Sequence, residues 1–340
     1  MTLYLSTITH QDIESGAVAS GIIVGPRPLE AIVLDLINTD KELFSTWNIL
    51  YHFFHIFGLL IHILYIYTYF NSKFLSETLK KSEFYHISIY FSSILSVRLF
   101  LSLIIFQVLV IKKELENGTF TKISMKILQY LDFSGDFFCV IMVFLMALNR
   151  CLTLVSTDFY PVFFKKSRIL ILVPLTLIFA VITAVILIST SEMQRVYIRS
   201  IGFVDSGVPG YQMLINRIFY IFPFGSIICY IILYFHIRQM TQQVISRTAQ
   251  SGEQRVFIQL FITILFYGAM CAVFEYINTR NWLSVPAEKI NLVAVLNIVN
   301  YLPEISLPLM LLISNACMRR RISTIVGPRV TKSVTVVPMK

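Results

Sequence analysis

Apolar side chains occupy this chain in long, nearly unbroken runs, in place of the alternation of a half-buried strand or the one-sided stripe of a soluble helix. A helix crossing a hydrocarbon core of about 30 Å needs about 20 such residues, because no backbone polar group can face lipid unpaired. Seven stretches meet that requirement: Phe44–Phe70, Phe84–Ile111, Ile127–Val155, Ile169–Ser189, Tyr211–His236, Val256–Ile277 and Ile290–Ser314. The breaks between them carry turn and charge signals, among them Asn71-Ser72-Lys73, Lys112-Lys113-Glu114, the Gly/Pro-bearing stretch from Gly202 to Gly210, and Pro286 within 278–289. The pattern predicts an all-α membrane protein: a seven-transmembrane helix bundle at 44–314, an N-terminal tail at 1–43 and a basic tail at 315–340. No internal repeat accompanies it, which weakens a transporter built from duplicated halves.

Composition agrees with that reading. Of 340 residues, 56% are hydrophobic and only 14% charged, too little polar surface for a soluble enzyme and too many aromatic side chains for a disordered chain. The net charge of +9 gains meaning once it is sorted by topology. With the N-terminus outside, inner segments hold 15 of the 28 cations, outer segments hold 10, and Arg98, Arg150 and Arg217 lie in or at the ends of spans. The inner excess favours an outside N-terminus and an inside C-terminus, against a Lys-rich second loop that pulls the other way. In such a protein basicity points to anionic lipid and cytosolic partners, and no nucleic acid is expected.

The first 43 residues contain no basic leader followed by a continuous apolar run, so the first span is expected to act as its own insertion signal. The outside arrangement exposes the sequon Asn117-Gly118-Thr119, which makes Asn117 a candidate glycosylation site. The five cysteines are Cys139, Cys151, Cys229, Cys271 and Cys317, none in an outer loop, so no external disulfide is expected. Cys317 directly follows the last span and precedes Arg319-Arg320-Arg321, a setting for reversible palmitoylation.

Charges within spans cost at least about 2.5–3.5 kcal/mol each on insertion scales, so each asks for a partner or a wet cavity. Arg98 falls near the middle of the second span, Asp132 and Asp136 sit four apart on one face of the third, and Glu304 follows Pro303 in the seventh. A pairing of Arg98 with Asp136 or Glu304 is feasible by depth. Arg98, Asp132, Asp136, Glu275 and Glu304 are therefore the candidates for a buried polar network or a ligand pocket, with Tyr130, Tyr211, Tyr220 and Tyr276 nearby. Glu275 and Arg217 lie closer to span ends. His52, His55 and His62 on the first span lack acidic or cysteine companions and read as packing residues, not metal ligands. Pro223, Pro303 and Pro308 are candidate kinks.

The third span ends in Met146-Ala147-Leu148-Asn149-Arg150-Cys151, a lone arginine at the mouth of a long third helix. In a seven-span chain with its N-terminus outside, this resembles the G-protein-coupled receptors, and the Asn-Arg form with short loops and many aromatic residues resembles the nematode serpentine chemoreceptors. The likeness spans about Phe44 to Ser314, while its sharp motif is two residues long. It departs from mainstream amine and peptide receptors: the usual acidic residue before the arginine is Asn149, the cysteines of the external disulfide are missing, Val256–Ile277 has no proline, and Leu307-Pro308-Leu309-Met310-Leu311 stands where an Asn-Pro-x-x-Tyr sequence is common. The resemblance implies a small-molecule or peptide ligand, a heterotrimeric G protein as partner, membrane lipid as solvent, and a plasma-membrane or sensory-cilium location. It also implies a coupling face of Asn149, Arg150, Lys165, Lys166 and Arg168. A guanidinium keeps its charge and offers several directed donors, so Arg150 can exchange partners inside the bundle for an inserted cytosolic protein.

No Gly-rich phosphate loop, catalytic serine motif or His-Glu metalloenzyme helix is present, so neither enzymatic activity nor a cofactor is expected. The alternatives are a seven-span ligand-gated channel of the insect chemoreceptor type, with its N-terminus inside, and a small carrier using Asp136 and Glu304 as proton sites.

Overall fold

Long apolar runs become helices in the computed structural model, which describes residues 46–71, 82–111, 118–156, 158–198, 202–206, 210–242, 247–279 and 286–314. In chain order these form α1 (Thr46–Asn71), α2 (Glu83–Ile111), α3 (Thr119–Val155), the short α4 (Tyr160–Phe164), α5 (Lys166–Ser189), a β-hairpin of β1 (Gln194–Ile198) and β2 (Gly202–Ser206), α6 (Gln212–Phe219), α7 (Ile221–Gln242), α8 (Arg247–Thr279), α9 (Pro286–Val299) and α10 (Tyr301–Ser314). Six helical segments among the described residues are long and apolar enough to cross a membrane; in α8 the qualifying apolar stretch is shorter, Phe261–Tyr276. The architecture is that of a helical, multi-pass membrane protein.

Exposed apolar side chains support the same solvent. Leu170, Ile171, Leu175, Ile178, Ile182 and Val185 of α5 are all exposed, a stripe that in water would aggregate and in lipid needs no cover. Packing forms a ring in which α1 meets α2, α2 meets α3, α3 meets α7, α7 meets α8, α8 meets α10 and α10 returns to α1. The fifth helix lies outside that ring against α3 and α2. Accordingly 56% of the most apolar window of α3 is buried, against 28% for α5.

The third helix begins eight residues before the expected Ile127, at Thr119. Its periodicity explains the extension: Thr121, Ser124, Met125, Leu128 and Gln129 are buried while Lys122, Ile123, Lys126 and Ile127 are exposed, a 3.6-residue repeat carried straight through the lysines. At 37 residues it is about 55 Å long and must project beyond the hydrocarbon layer.

Proline breaks two of the expected spans. Pro223 has no N–H to give Phe219, and the fifth span divides at Tyr220, whose own N–H is held by Asn216 and Arg217 carbonyls at 3.1 and 3.2 Å. Pro303 likewise leaves the Val299 carbonyl without its donor, and the last span divides at Asn300. Pro308 and Pro174 sit inside α10 and α5 without ending them.

The stretch after α5, expected as a plain polar loop, is instead the antiparallel hairpin, with Arg195 opposite Asp205 and Tyr197 opposite Phe203. Positions two apart share a face, so these four side chains point the same way. That face meets the bundle: Phe203 packs edge-on to Tyr51 of α1 at 6.2 Å and to Phe106 of α2 at 5.7 Å, and its carbonyl accepts from Asn297 of α9 at 3.1 Å. Gly210, at φ 51°, closes the segment where a Cβ would strike the Thr190 carbonyl.

Candidate functional site: a buried ionic cluster beside a cavity

Arg98 is buried in the middle of α2, and three carboxylates from two other helices converge on it. Its Nη1 donates to Glu304 Oε1 of α10 at 2.7 Å, and its Nη2 lies 3.4 Å from Asp136 and 3.5 Å from Asp132 of α3. The sequence expected one partner, Asp136 or Glu304. The fold supplies both and adds Asp132, because four-residue spacing puts the two aspartates on the same face of α3. Gly135 makes room for this: a Cβ there would fall within the Arg98 side chain.

The hairpin adds a second arginine that sequence reasoning left in an outer loop. Arg195 is fully buried, bonds Asp205 of its partner strand through Nε and Nη2, both at 2.9 Å, and reaches down to Asp132 of α3 through Nη1. Gln129 of α3 donates to the same Asp205 at 3.1 Å. Burial alone would lower the Arg195 pKa, but Asp205 and Asp132 outweigh it and hold the guanidinium above its ordinary value. Asp132 thus bridges the two arginines, linking helix, hairpin and the Arg98 group into one network. The available signal was the placement of Arg195 and Asp205 at equal distances on either side of Ser200, within two short runs rich in β-branched and aromatic residues.

Beside this network, His55 Nε2 lies 2.9 Å from the Leu99 carbonyl and donates its proton there, while Nδ1 lies 3.1 Å from the Tyr301 hydroxyl, itself 3.1 Å from that of Tyr51. The first-span histidine therefore ties α1 to α2 and α10. No group of His, Cys, Asp and Glu side chains suited to a metal ion occurs among the described residues.

A cavity opens on the other flank of Arg98's partners, between α3, α6, α7, α8 and α10. Asp136, Glu304, Asn300 and Asn216, with the phenols Tyr220 and Tyr267, are among its polar lining; Phe137 and Phe219, 4.3 Å apart between ring centres, supply much of its apolar wall. Space for water centres is about 30 Å³, enough for about two waters. Asn300, at the break between α9 and α10, turns its amide toward Asp136 at 3.4 Å.

Glu275 stands apart from this site. It pairs with Arg217 at 3.1–3.2 Å and accepts from the Tyr220 hydroxyl at 3.1 Å, at a half-exposed rim position. Tyr211 and Tyr276 are exposed, whereas Tyr220 and the unanticipated Tyr267 line the cavity.

Arg150 lies near the opposite end of α3, 14 residues past Asp136, or about 21 Å along the axis. Its guanidinium sits 4.1 Å over the ring of Phe84 at the start of α2, and it takes part in no ion pair among the described residues. Next to it Asn149 is buried and faces Tyr160, whose hydroxyl donates to Glu83 at 2.6 Å. Burial, and then that bond to Glu83, push the Tyr160 phenol up to about 12, so it remains a donor at physiological pH. Lys165 is exposed at the start of α5, and Arg168 folds back to donate to the Val162 carbonyl of α4. The Lys166 side chain, Asn117 and Cys317 lie outside the described residues. No protein-family model and no curated protein sequence matches this chain.

Proposed function

We propose that this protein is a chemosensory receptor of the G-protein-coupled type, resembling the nematode serpentine receptors, with seven spans, the N-terminus outside and a plasma-membrane location. The observation that carries the reading is the division of labour along α3. One continuous helix presents Asp132 and Asp136 to a buried ionic cluster and a cavity, and about 21 Å away presents Arg150 to an aromatic ring at the bundle's mouth. A small external ligand entering the cavity changes the contacts of Asp136 and Glu304, which belong to different helices. A shift between helices propagates to the far end of α3, where Arg150 leaves Phe84 for a heterotrimeric G protein. Asn149, Lys165, Lys166 and Arg168 complete the cytosolic face, their charge serving anionic lipid as well as the partner.

The test uses cells that carry a G-protein activation reporter, the full chain and an N-terminal epitope, screened with small water-soluble compounds. The expected result is an epitope reachable on intact cells and at least one compound whose response disappears in Arg150→Ala at equal surface level. A response that survives Arg150→Ala overturns the coupling role. An epitope reachable only after permeabilisation replaces the reading with the channel alternative.

A further inference from the structure

Two buried thiols face each other across the α3–α7 interface, next to Arg150. The register of the two helices places them there. Phe137 of α3 packs on Phe219 at the end of α6, and Phe144 of α3 packs on Phe222 of α7, with ring centres 4.3 and 5.7 Å apart, so the two run side by side in the same direction. Gly225 keeps the approach close, since a Cβ at that position would come within 2.8 Å of the Phe144 ring. Seven residues past Phe144 stands Cys151, and seven past Phe222 stands Cys229. Seven residues make about two helical turns, which puts both cysteines on the contact face at the same level. Both are free thiols, 7% and 8% exposed, and a hydrogen bond joins their side chains.

We propose that Cys151 and Cys229 form a reversible thiol–disulfide switch, closed by hydrogen peroxide, that clamps α3 to α7 beside Arg150. One thiol, as its thiolate, attacks a peroxide oxygen; the O–O bond breaks, a sulfenic acid forms, and the other oxygen leaves as water with the thiol's proton. The facing thiol then attacks the sulfenic sulfur, closing the S–S bond and releasing a second water. The two sulfurs together give up two electrons and the peroxide accepts them. Two glutathione thiols reverse the step by successive exchange, restoring both cysteines and leaving oxidised glutathione. Burial keeps bulky oxidants out, whereas hydrogen peroxide is scarcely larger than water, and a resolving thiol already in contact intercepts the sulfenic acid before further oxidation. The closed bond fixes the two backbones at a Cα separation of about 4.4–6.8 Å, one residue from Arg150, and so withholds the movement by which Arg150 leaves Phe84. That consequence rests on the receptor reading, which also puts these thiols at the cytosolic end, where glutathione holds the switch open. The cross-link itself stands on the contact between the two cysteines alone.

The test treats the full chain in lipid nanodiscs with micromolar hydrogen peroxide, caps remaining thiols with N-ethylmaleimide before and during denaturation, and reads the digest by mass spectrometry. The expected product is a Cys151–Cys229 cross-linked peptide, absent from untreated protein and removed by glutathione. Hydrogen exchange at 147–155 and 226–233 should slow about tenfold or more on oxidation and stay unchanged in Cys229→Ala. Because Cys229→Ala opens a small void in a packed interface, Cys151→Ser serves as the second variant, and the cross-linked peptide of the unaltered chain decides the matter without either. The proposal is overturned if both thiols are recovered as maleimide adducts, if either is carried to sulfinic or sulfonic acid without a cross-link, if either pairs with a different cysteine, or if the cross-link forms and exchange does not slow. In the reporter cells, peroxide should lower the response to a screened compound about fivefold or more in the unaltered chain and not in Cys151→Ser; a response that the cross-link leaves unchanged overturns the clamp. A cross-link in a chain that no compound activates would sink the receptor reading and leave the switch. Activation by a compound, with no cross-link formed, would do the reverse.

Discussion

The two charged regions of α3 are held in opposite ways. Around Asp132 and Asp136, every guanidinium is gripped by carboxylates from at least two elements, with α2, α3, α10 and the hairpin cross-linked through Arg98 and Arg195. At the other end Arg150 rests on the Phe84 ring, and the carboxylate nearby, Glu83, is occupied by Tyr160. A charge surrounded by buried partners cannot be moved without exposing them, which makes the first region a fastener. A charge on a ring at the bundle's edge gives up little on leaving, which makes the second a movable contact.

That contrast is broken most sharply by Arg98→Ala, which takes the guanidinium from buried Asp136 and Glu304 and one of two guanidinium partners from Asp132. It should cost about 3–5 kcal/mol, read as a large drop in the melting temperature of detergent-solubilised protein or as loss of surface expression. Gly135→Ala attacks the same fastener sterically, since its methyl would occupy Arg98's place, and about 1–3 kcal/mol of destabilisation is expected in the same melt. Asp205→Asn removes one of Arg195's carboxylates and should loosen the hairpin by about 1.5–3 kcal/mol, seen as faster hydrogen exchange at 194–206 with the helices unaffected. Tyr160→Phe removes the donor to Glu83 and should cost about 1 kcal/mol. Smallest in stability is Arg150→Ala, at about 0.5–1 kcal/mol, with melting nearly unchanged. A large drop in melting temperature for Arg150→Ala, or none for Arg98→Ala, would erase the distinction between fastener and movable contact.

How much of this was legible beforehand follows from the kind of signal involved. The helical runs were, because the requirement to satisfy every backbone group in lipid acts residue by residue along the chain. So was the membership of Arg98, Asp132, Asp136 and Glu304 in one group, because a charge within an apolar run needs a partner and few partners were available. The start of α3 was missed because hydropathy ended at Ile127 while the amphipathic repeat continued back to Thr119. The hairpin was missed because its strands are five residues each and their buried face depends on what they cover.

Taken alone, the amino-acid order determined a helical multi-pass membrane protein and the residues whose charge would have to be neutralised inside it, since each follows from local chemistry and spacing. Only the tertiary structure decided that Arg195 belongs to the buried network and Glu275 does not, that Asp132 bridges two arginines, and that Asp136 and Glu304 share a cavity wall with Asn216. Those outcomes depend on which faces meet across elements as many as 206 residues apart, as Arg98 and Glu304 are. Spacing along one helix cannot specify such a distance; packing of the whole bundle does.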